Sequence, residues 1–167
     1  FPLTAYSLTG YSGGGKKMIA EYEDENRDPW HESDRIYATS LTHKHLPEMR
    51  KLCGLTKKPV FSPIVGDFYA GMATSVLLPG IDAKAAWEAL SDHYAGQKLV
   101  SVAPLGGDEP VIYADTYAGK DTMRIQVSGQ QDQCMVTAIF DNLGKGASGA
   151  AIQNMNLLLG LEETTGL

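Results

Sequence analysis

The chain has 167 residues, of which 43% are apolar and 20% charged, and this composition is ordinary for a single globular domain with a hydrophobic core. Its formal net charge of -6 argues against general nucleic-acid binding, which requires a basic face. The two cysteines lie far apart and make no disulfide framework, and no segment resembles a membrane span or a signal peptide. These features favour a reduced, cytoplasmic setting.

The first half of the chain alternates between predicted strands and short helices. Strand-like patterns cover 2–10, 35–41, 58–66 and 71–80. Helical spacing covers 16–26 and 46–55, separated by a polar loop over 26–34. The strand-like run begins directly at Phe1 without an initiator methionine, so we expect a domain cut from a longer protein.

The second half contains the clearest helix, predicted over 82–96, with Asp82 suited to its N-cap and Gly96 to its end. Three further strands are predicted over 98–105, 121–129 and 133–142, the last two as a hairpin. A final helix covers 146–161. The mixture of strands and helices, without repeats or a linker, predicts an α+β domain. We expect a mixed, largely antiparallel sheet with helices on one face.

The stretch "GYSGGGKK" (10–17) forms a glycine-rich turn between a predicted strand and a predicted helix. Free backbone N–H groups, the helix dipole and two lysines make it suited to a phosphate or carboxylate. It has the spacing of neither a Walker loop nor a dinucleotide-binding fingerprint. The alternative is a flexible turn without a ligand.

The stretch "THKHLPEM" (42–49) carries two histidines, His43 and His45, two positions apart. On an extended segment both would face one side, where an imidazole can serve as general acid or base. No further ligand has a suitable spacing, so we predict no metal site. Glu48 follows in the first helical turn, where it could orient an imidazole. The alternative is a pair of solvated histidines at a strand end.

The stretch "DNLGKGASGAAIQNMNLLLGLEETTGL" (141–167) begins with small residues, which allow close packing against a backbone or a cofactor. Asn142 could hydrogen-bond an amide. The alternative is a well-packed terminal helix. Its apolar face, with Ile152, Met155 and Leu159, is expected to be partly uncovered and to promote association.

Four stretches in this order and spacing resemble a known family: "TGYSGGGKK", "THKHLPEM", "FSPIVGDFYAGM" and the stretch 141–167. From about Thr4 to Leu167 the chain resembles the substrate domain of N-acetyl-gamma-glutamyl-phosphate reductase, in its short type-2 form. The resemblance implies the fold of the catalytic domain of glyceraldehyde-3-phosphate dehydrogenase. It also implies NADPH-dependent reduction of N-acetyl-glutamyl 5-phosphate to the semialdehyde in arginine biosynthesis, through a cysteine thioester and with release of phosphate.

The resemblance further implies roles for single residues. His43 is the expected acid/base, His45 a substrate-positioning residue or the rival for that role, and Glu48 an orienting residue. Asn142 and Lys145 lie in a segment expected near the nicotinamide of NADP. The loop expected to bind the substrate phosphate comprises Ser12, Gly13, Gly14, Gly15 and Lys16.

The chain also departs from the family pattern. The family's Gly-Cys segment and dinucleotide fingerprint have no counterpart, and Cys53 and Cys134 stand in other contexts. We therefore expect residues 1–167 to be the isolated substrate-binding and dimerisation domain, inactive without its own Rossmann domain and forming a homodimer or a higher oligomer. The alternatives are an enzyme like aspartate-semialdehyde dehydrogenase, a carrier-protein-linked acyl-phosphate reductase, a non-catalytic dimerisation module, and a metal-dependent hydrolase using both histidines.

Overall fold

The computed structural model describes residues 2–106 and 111–167, so Phe1, where the strand-like run begins, lies outside the described residues. The strands are β1 (Thr4–Gly10), β2 (Arg35–Ile36), β3 (Val60–Gly66), β4 (Met72–Pro79), β5 (Val100–Val102), β6 (Met123–Gly129) and β7 (Gln133–Phe140). The α-helices are α1 (Gly15–Glu23), α2 (Leu46–Leu52), α3 (Ala83–His93) and α4 (Gly149–Leu158). Among these helices none is long and apolar enough to cross a membrane.

The strands of the described chain form one sheet in the order β2-β3-β1-β4-β7-β6-β5. Two neighbouring pairs, β1 with β3 and β5 with β6, are parallel. The other pairs are antiparallel, including the β6–β7 hairpin, in which Gly129 lies opposite Cys134. This confirms the prediction of a mixed, largely antiparallel sheet.

Helices α2 and α3 pack on the same face of this sheet. Leu46 and Met49 of α2 contact Ala5 and Phe61. Helix α3 packs on the neighbouring strands through Ala83, Ala86, Trp87 and Leu90, which contact Val127, Cys134 and Val136. Directly opposed residues share a face, and the register aligns Ala5, Val76, Val136 and Val127 across four strands. The prediction of helices on one face is therefore confirmed for these two helices.

The opposite face carries polar side chains and a broad groove. The hydroxyls of Ser75 and Thr137 lie 2.8 Å apart across β4 and β7, and both residues are buried. The Tyr6 hydroxyl lies 3.3 Å from the sulfur of Met135 on the same face. The groove has a volume of about 1260 Å³, and its lining includes Tyr6, Arg124, Gln126, Met135 and Thr137. No helix of the described chain fills this groove.

The strand predicted over 35–41 is mostly wrong, because β2 ends at Ile36. The Tyr37 N–H still donates to the carbonyl of Pro63, 3.1 Å away. Pro63 has no N–H with which to continue the ladder on that side. The chain then leaves the sheet through Ala38 and Leu41, which adopt left-handed φ values of 51° and 55°.

The final helix begins with an unexpected five-residue turn. Residues Gly144–Ser148 form a π-helix, which precedes α4. The Asp141 carbonyl accepts a hydrogen bond from the Gly146 N–H at 2.7 Å, and the Leu143 carbonyl accepts one from the Ser148 N–H at 2.9 Å. Each bond joins residues five positions apart, as in a π-helix. Glycine suits the start of this turn because a Cβ at Gly144 would stand 2.8 Å from the Asp121 carboxylate and 2.9 Å from the Lys120 carbonyl oxygen.

Candidate functional site

The glycine-rich turn after β1 is held by backbone hydrogen bonds to the loop between β3 and β4. The N–H groups of Gly10, Tyr11 and Ser12 donate to carbonyls of residues 68–71, at distances of 3.0, 2.9 and 3.0 Å. The turn lies so close to this loop that a Cβ at Gly10 would stand 2.5 Å from the Tyr69 carbonyl oxygen. These three N–H groups are therefore used within the domain and do not face an anion.

The part of this loop that remains open to an anion is the start of α1. The Gly15 N–H donates back to the Ser12 carbonyl, with Gly15 at a φ of 76°. Neither a side-chain cap nor an acidic residue occupies the first turn of α1, and Lys16 is exposed there. The first-turn N–H groups and Lys16 thus suit an anion better than Ser12, which is buried.

Asn142 joins the glycine-rich turn to the loop before β4. Its Oδ1 accepts the Gly71 N–H at 2.8 Å, and its Nδ2 donates to the Ser12 hydroxyl at 3.0 Å. The preceding carboxylate, Asp141, is buried and accepts N–H groups from Leu143, at 2.7 Å, and from Gly119. The structure thus brings the predicted residues Ser12 and Asn142 into direct contact. It occupies the Asn142 side chain with internal bonds, and its predicted contact with a nicotinamide stays a prediction.

Lys145 lies in the π-helix and turns back toward α4. Its Nζ donates to Oε1 of Gln153, and the amide of Gln153 donates to Glu163 at 3.1 Å. Burial lowers the pKa of Lys145, while the carboxylates of Glu163 and Asp121 act in the opposite direction. Its predicted role near a cofactor likewise stays a prediction.

The two histidines lie together, although not on an extended segment as the prediction assumed. They lie in the turn that leads into α2, where His45 is the N-cap with helical φ and ψ. The ring centroids of His43 and His45 are 4.8 Å apart, and the His43 ring also contacts Phe61 at 5.3 Å and Tyr37 at 5.7 Å. The backbone N–H of His45 donates to His43 Nδ1 at 3.3 Å. Burial lowers the pKa of His43, and the charges of His45 and Lys44 act in the same direction.

The sequence segment that begins at the histidines is cationic despite the negative charge of the whole chain. Residues 43–58 contain one carboxylate, Glu48, and the cationic side chains of Lys44, Arg50, Lys51, Lys57 and Lys58. Glu48 is exposed in the first turn of α2, and in the described part of the chain no hydrogen bond joins it to either ring. Its predicted orienting role stays a prediction.

The structure does not bring the glycine-rich turn next to the histidines. The turn follows Gly10, which pairs with Gly66 at one end of β3, whereas the His43 ring contacts Phe61 near the other end. Gly66 lies five positions along the strand from Phe61, which corresponds to about 16 Å. The predicted site therefore consists of two groups, one containing Ser12 and Asn142 and the other containing His43 and His45.

Neither cysteine is placed to serve the histidines. Burial raises the pKa of the Cys134 thiol, and the Asp82 carboxylate adds to this effect, so Cys134 is a poor source of thiolate. Cys53 is exposed at the C-cap of α2, and the helix of about 10 Å separates it from His45 at the N-cap. Within residues 2–106 and 111–167, no three His, Cys, Asp or Glu side chains form a metal-binding group.

Sequence patterns do not reveal the aromatic residues that frame His43. Tyr37 and Phe61 both fall within predicted strands, at 35–41 and 58–66. Only the docking of the turn beside β3 brings Phe61 to His43, so no local pattern indicates this contact.

Comparison with known proteins agrees with this fold. The model of the family described as semialdehyde dehydrogenase, dimerisation domain, matches residues 2–142. The N-acetyl-gamma-glutamyl-phosphate reductase of Sinorhizobium fredii is 46% identical over 95% of this chain. The reductase of the same name from Brucella ovis is 43% identical over 96% of it. The chain spans about half the length of these curated relatives, at 54% and 55%.

Solved structures share this fold. The crystal structure of aspartate semialdehyde dehydrogenase II from Vibrio cholerae superimposes with a TM-score of 0.69, covering 95% of this chain and 55% of that one. At 17% identity this likeness shows the fold alone. Taken with the family match over most of its length, it establishes that the chain belongs to the semialdehyde dehydrogenase family, as a dimerisation domain.

Proposed function

We propose that this domain is the substrate-binding and dimerisation half of an NADP-dependent N-acetyl-gamma-glutamyl-phosphate reductase. The observation that carries the proposal is the 46% identity over 95% of the chain with a reductase of that name. In this proposal residues 1–167 are one domain of a two-domain protein, whose Rossmann half holds most of the NADP. The reaction belongs to arginine biosynthesis, and we place it in the cytoplasm.

The histidine group suits an acyl-phosphate substrate. Five cationic side chains in residues 43–58 attract an anionic substrate, because only Glu48 opposes them there. The exposed first turn of α1, with Lys16, offers a second site for an anion. These two positions lie on one domain and leave the thiol to be supplied by the other half.

The chemistry divides between the two halves of the proposed enzyme. A thiolate of the other half attacks the acyl carbon, the bond to the phosphate oxygen breaks, and phosphate leaves. When bound, NADPH would supply the hydride for reduction of the resulting thioester. The histidines of this chain accept the thiol proton, stabilise the negative charge on the carbonyl oxygen, and return the proton to the sulfur when the aldehyde leaves.

We propose that a second copy of the chain covers the open face of the sheet. The family description as a dimerisation domain supports this choice, and the helices α2 and α3 cover only the other face. Substituting Arg124→Glu in the groove is expected to weaken the dimer, whereas Arg50→Glu on α2 is not. Sedimentation over a wide dilution range tests this, and a wild type that stays monomeric throughout contradicts it.

The exposed apolar residues of α4 suit the Rossmann half. Met155 and Leu159 are 50% and 65% exposed, as expected from the sequence, and Leu157 and Leu158 are also exposed. We propose that this surface packs against the cofactor-binding half of the same protein. Asn142 and Lys145 lie at the start of this helical segment. If the segment packs against the cofactor-binding half, both residues lie close to that half, which supports their proposed place near the nicotinamide.

The test uses the complete two-domain protein in the reverse direction. NADP reduction is followed with N-acetylglutamate semialdehyde, with and without phosphate, for the wild type, His43→Asn and the exposed control His93→Asn. We expect phosphate-dependent reduction by the wild type that is lowered in His43→Asn and kept in His93→Asn. NADP reduction with aspartate semialdehyde alone would identify the protein as an enzyme like aspartate-semialdehyde dehydrogenase. No NADP reduction with either aldehyde would favour a non-catalytic dimerisation module.

A further inference from the structure

The backbone amide of residue 45 determines which nitrogen of His43 carries the proton. The His45 N–H points at His43 Nδ1, with 3.3 Å between the two nitrogens. A backbone N–H can only donate, so Nδ1 must offer its lone pair. In the neutral ring the single proton is then on Nε2.

His31 presents the opposite arrangement in the same chain. Its Nδ1 lies 3.2 Å from the Asp28 carbonyl oxygen, which can only accept a hydrogen bond. The proton of His31 is therefore on Nδ1, and its Nε2 is bare when the ring is neutral. The two rings provide opposite tautomers within one molecule, and each serves as the reference for the other.

The surroundings of His43 support the amide contact. The Leu46 N–H donates to the His43 carbonyl at 3.1 Å, which closes the turn that presents the His45 N–H to the ring. Phe61 and Tyr37 contact the ring at centroid distances of 5.3 and 5.7 Å and limit its rotation. Protonation of Nδ1 would place two N–H groups against each other, which adds to the effect of burial in keeping the ring neutral.

We infer that His43 is a neutral hydrogen-bond donor to the substrate carbonyl oxygen and that the neighbouring His45 accepts the thiol proton. This division of roles rests on the proposed function. His43 Nε2 already carries a proton and cannot accept another while Nδ1 is bonded to the amide. The His45 ring is exposed and its centroid is 4.8 Å from that of His43, so both can reach one substrate.

The proton balance closes with these roles. When the thiol attacks the acyl phosphate, its proton moves to the bare nitrogen of His45, a carbon–sulfur bond forms, and the bond to phosphate breaks. After hydride reduces the thioester, the carbon–sulfur bond breaks and His45 returns its proton to the sulfur. His43 donates a hydrogen bond to the carbonyl oxygen throughout and undergoes no net proton transfer.

The tautomer is measured on the 167-residue chain itself, labelled with ¹⁵N at its four histidines. Long-range ¹H–¹⁵N spectra above neutral pH are assigned by replacing each histidine in turn with Gln. We expect a protonated Nε2 and a bare Nδ1 for His43, and the reverse for His31. A protonated Nδ1 at His43, or the averaged signals of an imidazole that exchanges freely between its two tautomers, would overturn the inference.

The roles are tested in the complete reductase with two matched substitutions. Gln keeps a side-chain N–H donor but cannot shuttle a proton. We expect His43→Gln to lower kcat by ~10-fold or less, and His45→Gln to lower it by ~100-fold or more and to flatten its pH profile. The reverse order of effects would overturn the division of roles. A wild type without reductase activity would overturn the proposed function and these roles with it, whereas the spectrum alone decides the tautomer.

Discussion

The glycine-rich turn and the histidine segment, here residues 37–45, are fixed in opposite ways. The turn gives three backbone N–H groups to the loop at residues 68–71, and Asn142 ties its buried Ser12 to Gly71. The histidine segment leaves the sheet after one hydrogen bond from the Tyr37 N–H. It then passes through Ala38 and Leu41, which have left-handed φ values although neither is glycine. Its histidines are held by ring contacts, by the hydrogen bond from the His45 N–H to the His43 ring, and by local backbone hydrogen bonds to the start of α2.

This difference separates a rigid part of the candidate site from an adjustable one. Backbone hydrogen bonds and close packing restrict the glycine-rich turn to one conformation, because any shift of the turn breaks several contacts at once. The exposed histidine segment can move at a smaller cost, because its backbone hydrogen bonds beyond the one from Tyr37 to the sheet are local. A domain that completes its site with a second half benefits from this division, because the adjustable part can adapt to the incoming surface.

The largest expected effect concerns the rigid turn. Gly10→Ala places a Cβ 2.5 Å from the Tyr69 carbonyl oxygen, and backbone atoms must shift to accept it. We expect a loss of about 3 kcal/mol in the free energy of unfolding, measured with urea. Gly13→Ala in the same turn meets atoms only at 3.5 Å and should change stability by less than ~0.5 kcal/mol. Equal effects of the two substitutions would contradict the close packing at Gly10.

The next effect concerns the bond between the turn and the β3–β4 loop. Asn142→Leu removes both side-chain hydrogen bonds and leaves the Gly71 N–H without its acceptor. We expect a loss of about 2 kcal/mol on urea unfolding. Asn154→Leu provides the control, because that amide bonds only to the Ala150 carbonyl on the exposed surface of α4. An Asn142 variant as stable as its control would mean that the turn is held by its backbone bonds alone.

A smaller effect of opposite sign is expected in the histidine segment. Ala38 has a φ of 51°, a left-handed conformation that glycine adopts without strain. In Ala38→Gly, we expect this relief of strain in the folded chain to outweigh the entropy that glycine adds to the unfolded chain. Ala38→Gly should raise the free energy of unfolding by ~0.5 kcal/mol. Ala118→Gly, at an exposed turn residue without a positive φ, should lower it by ~0.5 kcal/mol. Thermal melts of both variants compare the signs, and a loss at Ala38 would show that the segment is unstrained.

The smallest effect is a pH dependence at His43. Its folded pKa lies below the usual 6.5 because of burial and of the charges on His45 and Lys44. Below pH 6.5 the unfolded chain therefore binds this proton more readily than the folded one, and stability falls as the pH is lowered. His43→Gln lacks this loss, so the stability advantage of the wild type should shrink between neutral and mildly acidic pH. An advantage that grows over this range would reverse the direction of the pKa shift.

Most of the fold was predictable because its signals are local. Alternation of apolar and polar residues placed β1, β3, β4, β6 and β7 within two residues of their ends. The Asp82 N-cap is confirmed, since its carboxylate accepts the Ala85 N–H at 3.0 Å. The strand over 35–41 failed because its length depends on Pro63, a residue of the neighbouring strand.

The candidate site was less predictable, for the same reason. The motifs identified Ser12, Asn142, His43 and His45, and the structure joins them in pairs. Which pairs form depends on long-range packing: Asn142 reaches Ser12 through the sheet register, and Phe61 meets His43 through the docking of α2. The π-helix at Gly144–Ser148 also had no local signal, because glycine-rich sequence permits several kinds of turn.

The order of strands has a consequence for how the chain is made on the ribosome. Strand β4 ends at Pro79, but β7, which pairs with it over its whole length, begins only at Gln133. About 50 residues must therefore be synthesised before the open edge of β4 finds its partner, which takes roughly 3–10 s at typical elongation rates. During this interval the nascent chain presents an unpaired, partly apolar edge. A chaperone that binds extended segments would find it there, and slow codons between β4 and β7 would lengthen that exposure.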